Sequence, residues 1–205
     1  MALLEKIDSL RRSSVRRTIE ARLAQFASFA SKRDDEWFSE LCFCLLTANA
    51  RADSALRIQE DLGAAGFAVA PRSRVLSTIK RHRHRFHNTK TEYIVRARKF
   101  RHMRALLVSS GKKSREWLVQ NIKGFGMKES SHFLRNVGYQ DVAILDRHII
   151  NSLAEFGIIR KPGLLTPKRY VYIEQKFARL AKQAGMTLPE LDLYLWYLKT
   201  GVVLK

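Results

Sequence analysis

Apolar residues recur along this chain at spacings of three and four, not two. Leu3, Ile7 and Leu10, then Val15, Ile19, Leu23 and Phe26, fall on one side of a 3.6-residue turn and predict an amphipathic helix or a pair of them. The run WFSELCFCLLTANARADSALRIQEDLG, residues 37–63, is apolar enough for a buried helix followed by a second one, with Gly63 as its cap. PRSRVLSTIKRHRHRF (71–86) and TEYIVRARKFRHMRALLVSSG (91–111) read as helices with basic exteriors. Their inward faces carry Val75, Ile79, Ile94, Ala97, Phe100, Met103 and Leu107.

Further on, Asp146 is placed to cap a helix over DRHIINSLAEFG, which closes at Gly157. Thr166 with Pro167 opens another. Thr187 and Glu190 form a T-x-x-E box ahead of an aromatic-rich last helix. With four prolines, no evident repeat and no low-complexity tract, the chain reads as all-α.

The 205 residues, 46% hydrophobic, suffice for one sizeable domain or two small ones. No apolar run approaches the roughly 20 residues needed to span a bilayer, so no membrane partner is expected. The start is rich in Arg and Ser, yet it holds Glu5, Asp8 and Glu20 and lacks a signal-type apolar stretch, so it reads as structural. Only Cys42 and Cys44 occur, too few for a disulfide framework, a zinc site or a four-cysteine cluster. A reducing, cytoplasmic and nucleoid-associated setting is the expectation.

Charge narrows the partners. The balance of 38 Lys and Arg against 19 Asp and Glu is +19, which favours a polyanion, with nucleic acid as the default because neutralised phosphates release counterions. From Arg72 to Arg104 there are twelve Lys or Arg and one acid, Glu92. Within this stretch RHRHRFH places His82, His84 and His87 close together, but the interleaved arginines disfavour a divalent cation, so no metal site is assigned. Phe86 is an aromatic among charges, suited to anchoring the turn or to facing a base.

The chemistry concentrates in IKGFGMKESSHFLRNVG, residues 122–138. A turn of the form apolar-x-Gly-apolar-Gly between two helices brings them close and leaves amides uncovered at the start of the second, a ready anion site. Ile122 and Phe125 would plug into the core. Lys123, Gly124 and Gly126 would hold one DNA phosphate, a contact that fixes position and ignores sequence. Lys128 follows in the second helix, and Asp146 caps the next one eighteen residues on. A neutral lysine amine can attack C1′ of a nucleotide, expel the base and leave a Schiff base open to β-elimination, with an aspartate stabilising cationic character on the sugar. Taken singly, each residue has a plain alternative: a solvated lysine and a helix cap.

Together they resemble the helix-hairpin-helix DNA glycosylase superfamily. GFGMK matches its G-x-G-x-K element and ILDRHII its apolar-Asp-x-His segment, with Gly138 in the connection; the usual proline before the first glycine is Lys123 here. The segments LTAN and RFHNTKTEYIVRARKF, together with the final lysine, look most like the archaeal-type second family of 8-oxoguanine DNA glycosylase/AP lyases.

The resemblance implies a two-lobed fold with an interlobe cleft. Residues 36–137 would form a central bundle ending in the hairpin, and residues 1–35 with 138–205 the second lobe. It implies that a monomer removes 8-oxoguanine from duplex DNA and cleaves the strand. Lys128 is then the nucleophile and Asp146 its catalytic partner. The carboxylate of Lys205 reads the N7–H that distinguishes the lesion from guanine, and Trp196 and Phe86 are candidates for stacking on the flipped base. No cofactor is required, although hairpin carbonyls are suited to a monovalent cation. Two alternatives stand beside this: a glycosylase for another damaged base, and a non-catalytic helix-hairpin-helix module binding DNA or RNA.

Overall fold

The computed structural model describes residues 3–205, and every regular element among them is helical. In chain order α1 spans Leu3–Arg11, α2 Val15–Ser28, α3 Asp34–Thr47, α4 Ala52–Val69, α5 Arg72–Arg81, α6 His87–Ala97 and α7 Arg104–Ser110. There follow α8 at Ser114–Asn121, α9 at Met127–Asn136, α10 at Arg147–Glu155, α11 at Pro167–Gln183 and α12 at Leu188–Thr200. The chain divides into two compact units: Phe29–Val137 forms one, and the stretch up to Ser28 joins Gly138–Lys205 in the other.

The Phe29–Val137 unit is built around α3. Its acids Asp34, Asp35 and Glu36 sit in the first turn, where the helix dipole favours them, and every residue from Trp37 to Leu46 is buried, both cysteines included. A helix apolar on all sides must be enclosed, and α4, α6 and α9 pack on it. Trp37 meets Phe133 of α9 edge-on, with ring centroids 6.0 Å apart, and its indole N–H donates to Phe29 O at 2.8 Å. Glu40, the one acid inside this apolar run, accepts from Asn136 Nδ2 at 2.6 Å and from Gln59 Nε2 at 3.3 Å, so α9 and α4 supply donors to its carboxylate.

Two elements depart from the apolar pattern. The helix expected to stop at Gly63 continues: Gly63 adopts φ +66° and kinks the chain, after which α4 resumes and runs to Val69. The helix expected over 91–111 is divided, α6 ending at Ala97 and α7 starting at Arg104. Arg98 fastens the bend by donating to the Phe67 and Ala70 carbonyls, at 2.9 and 2.6 Å, beside the end of α4. A cation on terminal carbonyls is a favourable helix end.

In the other unit α12 packs against α1, α2, α10 and α11, with Leu191, Leu193, Tyr194 and Leu195 buried. Gly138 opens the return of the chain at φ +101°, and a β-carbon there would stand 3.1 Å from the backbone oxygen of Phe26, so the turn passes α2 too closely for a side chain. Val142–Leu145 then runs buried and non-helical. Side chains one turn apart on α11 satisfy its backbone: Glu174 Oε1 accepts from Ala143 N at 2.8 Å, while the Tyr170 hydroxyl donates to Ala143 O at 2.6 Å and accepts from Leu145 N at 3.2 Å. Asp146 follows immediately.

Tyr170→Phe keeps the ring and removes one buried hydroxyl that serves two backbone groups. The expected loss is about 2 kcal/mol of unfolding free energy, read as a lower urea midpoint at unchanged m-value.

Candidate active site

The hairpin lies between α8 and α9. Ile122 and Phe125 are 2% and 7% exposed, so both apolar residues plug inward as their spacing predicts. Gly124 has φ +95°, and a β-carbon on it would lie 2.5 and 2.7 Å from ring carbons of Tyr93. Glycine is therefore required there on two counts, conformation and space. Gly126 is the N-cap of α9. Its amide is not left bare: it donates to Glu129 Oε2 at 3.3 Å, from three residues further on. Lys123 and Gly124 are exposed.

Lys128 occupies the second position of α9. Its side chain is 31% exposed, and its ammonium lies 3.3 Å from Glu129 Oε1. A second lysine acts on the same cluster from α6. Lys90 is buried, and its Nζ donates to the Leu45 carbonyl at 2.6 Å. Loss of water pushes its ammonium down from 10.5 to about 8; Glu129 opposes the shift and Lys128 adds to it.

Next to Lys90 the histidine-rich turn is also fastened to α3. His84 is buried and bonds Leu46 O through Nε2 at 2.8 Å, while its Nδ1 accepts from Phe86 N at 3.3 Å. Those two partners fix the neutral tautomer, and burial accordingly pushes its pKa down. His82 bonds Asp61 at 2.5 Å. Thus the histidine-rich turn spends His84 on the core. Phe86 remains 38% exposed, with the Arg85 guanidinium over its ring at 4.5 Å. Arg83, at φ +54°, is exposed beside it.

Asp146 is the N-cap of α10, as its sequence context predicts, and Oδ1 accepts from Ile149 N at 2.8 Å. Two residues on, His148 meets Trp196 of α12 edge-on at 5.1 Å. The Trp196 indole N–H is buried and makes no hydrogen bond. Lys205 is half-buried, beyond Gly201, which ends α12 in the left-handed region.

The structure thus groups the sequence-predicted residues as Lys123, Gly124, Gly126 and Lys128 in the hairpin, and Asp146 with Trp196 through His148. Phe86 shares the hairpin's unit. Lys90 and Glu129 were not singled out from sequence, although signals existed. Lys90 falls on the inward stripe with Ile94 and Ala97, where a lysine is out of place, and Glu129 completes a Gly-x-x-Glu cap spacing. The basic stretch is also only partly a surface: Lys90, Arg98 and Arg104 donate to the backbone carbonyls of Leu45, Phe67, Ala70 and Ala30.

Burying the Lys90 charge has a testable pH signature. Its folded value lies below its unfolded one, so the unfolded chain binds the proton more tightly. The penalty is in full force below about pH 8 and is relieved as pH rises towards 10.5. Relative to Lys90→Met, the natural protein should gain about 2 kcal/mol between about pH 7.5 and about pH 10, measured by urea unfolding of both proteins at each pH.

Residues 19–186 match the family of the 8-oxoguanine DNA glycosylases. The 8-oxoguanine DNA glycosylase/AP lyase of Methanocaldococcus jannaschii is 46% identical, with 100% of each chain covered. That of Korarchaeum cryptofilum is 42% identical over 99% of this chain and 98% of its own. The crystal structure of the Methanocaldococcus jannaschii 8-oxoguanine glycosylase/lyase in complex with a 15mer DNA containing 8-oxoguanine superposes with a TM-score of 0.96, again covering 100% of both chains. On a match of this extent, in sequence and in backbone alike, the chain belongs to the 8-oxoguanine DNA glycosylase family.

Proposed function

We propose that this protein excises 8-oxoguanine from duplex DNA and then cleaves the strand at the abasic site, with Lys128 as the nucleophile. The observation that carries the reading is the full-length likeness, at a TM-score of 0.96, to a glycosylase/lyase that binds DNA containing this lesion. The geometry supports it locally: Lys128 stands on the first turn of α9, next to the loop of Lys123, Gly124 and Gly126, whose place in the hairpin suits it to a backbone phosphate. Exposed arginines such as Arg72, Arg74, Arg83 and Arg85 extend the positive surface of the same unit.

In this scheme the neutral amine of Lys128 attacks C1′ and the glycosidic bond breaks towards the base, which leaves with the bonding electrons and gains a proton. Opening of the sugar gives a Schiff base. Loss of a C2′ proton then expels the 3′ phosphate by β-elimination, and water releases the lysine. Asp146 stabilises positive character on the sugar and assists the proton transfers. Its fixed orientation supports that role, because Oδ1 is anchored on Ile149 N and the segment before it is gripped by α11.

A main-chain oxygen of Lys205 accepts from the lesion's N7–H, and Trp196 and Phe86 stack on the extruded base. Each step uses a side chain or water and draws on no cofactor. A monovalent cation at the hairpin would assist phosphate docking without entering the bond changes. Among the described residues no helix is long and apolar enough to cross a membrane, and the proposed place of action is the nucleoid.

Borohydride trapping on duplex DNA containing 8-oxoguanine tests the scheme. The natural protein should yield a covalent adduct, Lys128→Gln none, and Asp146→Asn single-turnover excision slower by about 100-fold or more with duplex affinity retained. An adduct that persists in Lys128→Gln places the nucleophile elsewhere.

A further inference from the structure

In the hairpin a carboxylate sits on the Gly126 amide, the donor assigned above to a backbone phosphate. Glu129 uses both oxygens: Oε2 accepts from Gly126 N at 3.3 Å and Oε1 lies 3.3 Å from Lys128 Nζ. A helix cap needs only the first of these contacts. The second ties the amine to the same group, and the side chain is held there at 19% exposure. The buried charge of Lys90 acts on it from α6. From α8, Arg115 donates to Ser131 of α9 at 3.3 Å.

We propose that Glu129 is a positioning residue which, in the DNA-free protein, fills the anion site of the hairpin and holds the Lys128 amine, and which an incoming backbone phosphate displaces. The inference rests on the reading of the hairpin as a phosphate clamp and of Lys128 as the nucleophile. One amide N–H cannot serve two anions at full strength, and a phosphate at Gly126 repels the carboxylate as well as replacing it. Displacement breaks the ion pair that favours the ammonium, so its proton can pass to water and leave the neutral amine that attacks carbon. DNA docking and release of the nucleophile thereby become one event, and an unoccupied protein keeps its amine engaged.

Glu129→Gln preserves the length and an oxygen for the cap but removes the competing charge. Glu60→Gln, on the exposed side of α4, makes the same change in net charge away from the hairpin. The expected result is that Glu129→Gln binds undamaged duplex DNA about tenfold more tightly than the natural protein. It should also form borohydride adducts with abasic-site DNA several-fold faster at subsaturating DNA, while Glu60→Gln changes neither by more than about twofold.

Glu129→Ala, which removes the carboxylate altogether, should also tighten binding, and it carries the test if the Gln variant does not fold. Affinity of Glu129→Gln equal to or weaker than that of Glu60→Gln overturns the proposal, as does a slower adduct in the tighter binder. If the natural protein forms no adduct at all, the nucleophile assignment falls, while the affinity comparison still decides whether Glu129 occupies the anion site.

Discussion

A helix enclosed on every side has no water for its last carbonyls, and α3 meets that constraint with its neighbours. Cys44 O accepts from the Thr47 hydroxyl at 3.1 Å, Leu45 O from Lys90, Leu46 O from His84, and Thr47 O from Ala50 N at 3.1 Å. The four carbonyls at this helix end are therefore satisfied, two of them by residues about 40 positions away in sequence. This accounting brings α6 and the histidine turn against α3. It leaves Lys90 where its charge acts on Lys128 and Glu129, and it fixes Phe86 beside the same turn. The surroundings of Lys128 and Glu129 at the start of α9 are thus shaped by how another helix finishes.

The Asp146 side obeys the same rule with different residues. There the buried backbone of Val142–Leu145 belongs to no helix or sheet, so Tyr170 and Glu174 must supply its partners. Because the aspartate follows directly, its position is a product of packing on α11 as much as of its own capping bond. In the role proposed for Asp146 this is an advantage, since a group already oriented needs no ordering when substrate arrives.

Much of this was legible in the chain. Period placed the helices, because enclosed and half-enclosed faces write themselves as apolar residues three and four apart. Capping chemistry located the starts at Asp146, Thr166 and Thr187, and the two glycines marked the hairpin. The breaks were harder. Gly63 looked like a terminus because a positive φ ends most helices, yet the residues after it are helical again and carry buried Phe67 and Ala68. The division after Ala97 depends on Arg98 reaching carbonyls some thirty residues earlier, which no local pattern encodes. Charge was legible only in sum: net positive charge announces a polyanion, but only the fold separates an arginine that faces solvent from one that closes a helix.

The two thiols of the chain lie on α3, and both have no exposed surface. Burial pushes the Cys42 thiol well above its usual range, so little of it exists as thiolate, the form that oxidants attack. The function proposed above has an oxidised guanine as its substrate, and the chemistry that oxidises guanine also attacks exposed sulfur. Sealing both cysteines into α3 keeps dissolved oxidants away from the two thiols of the chain.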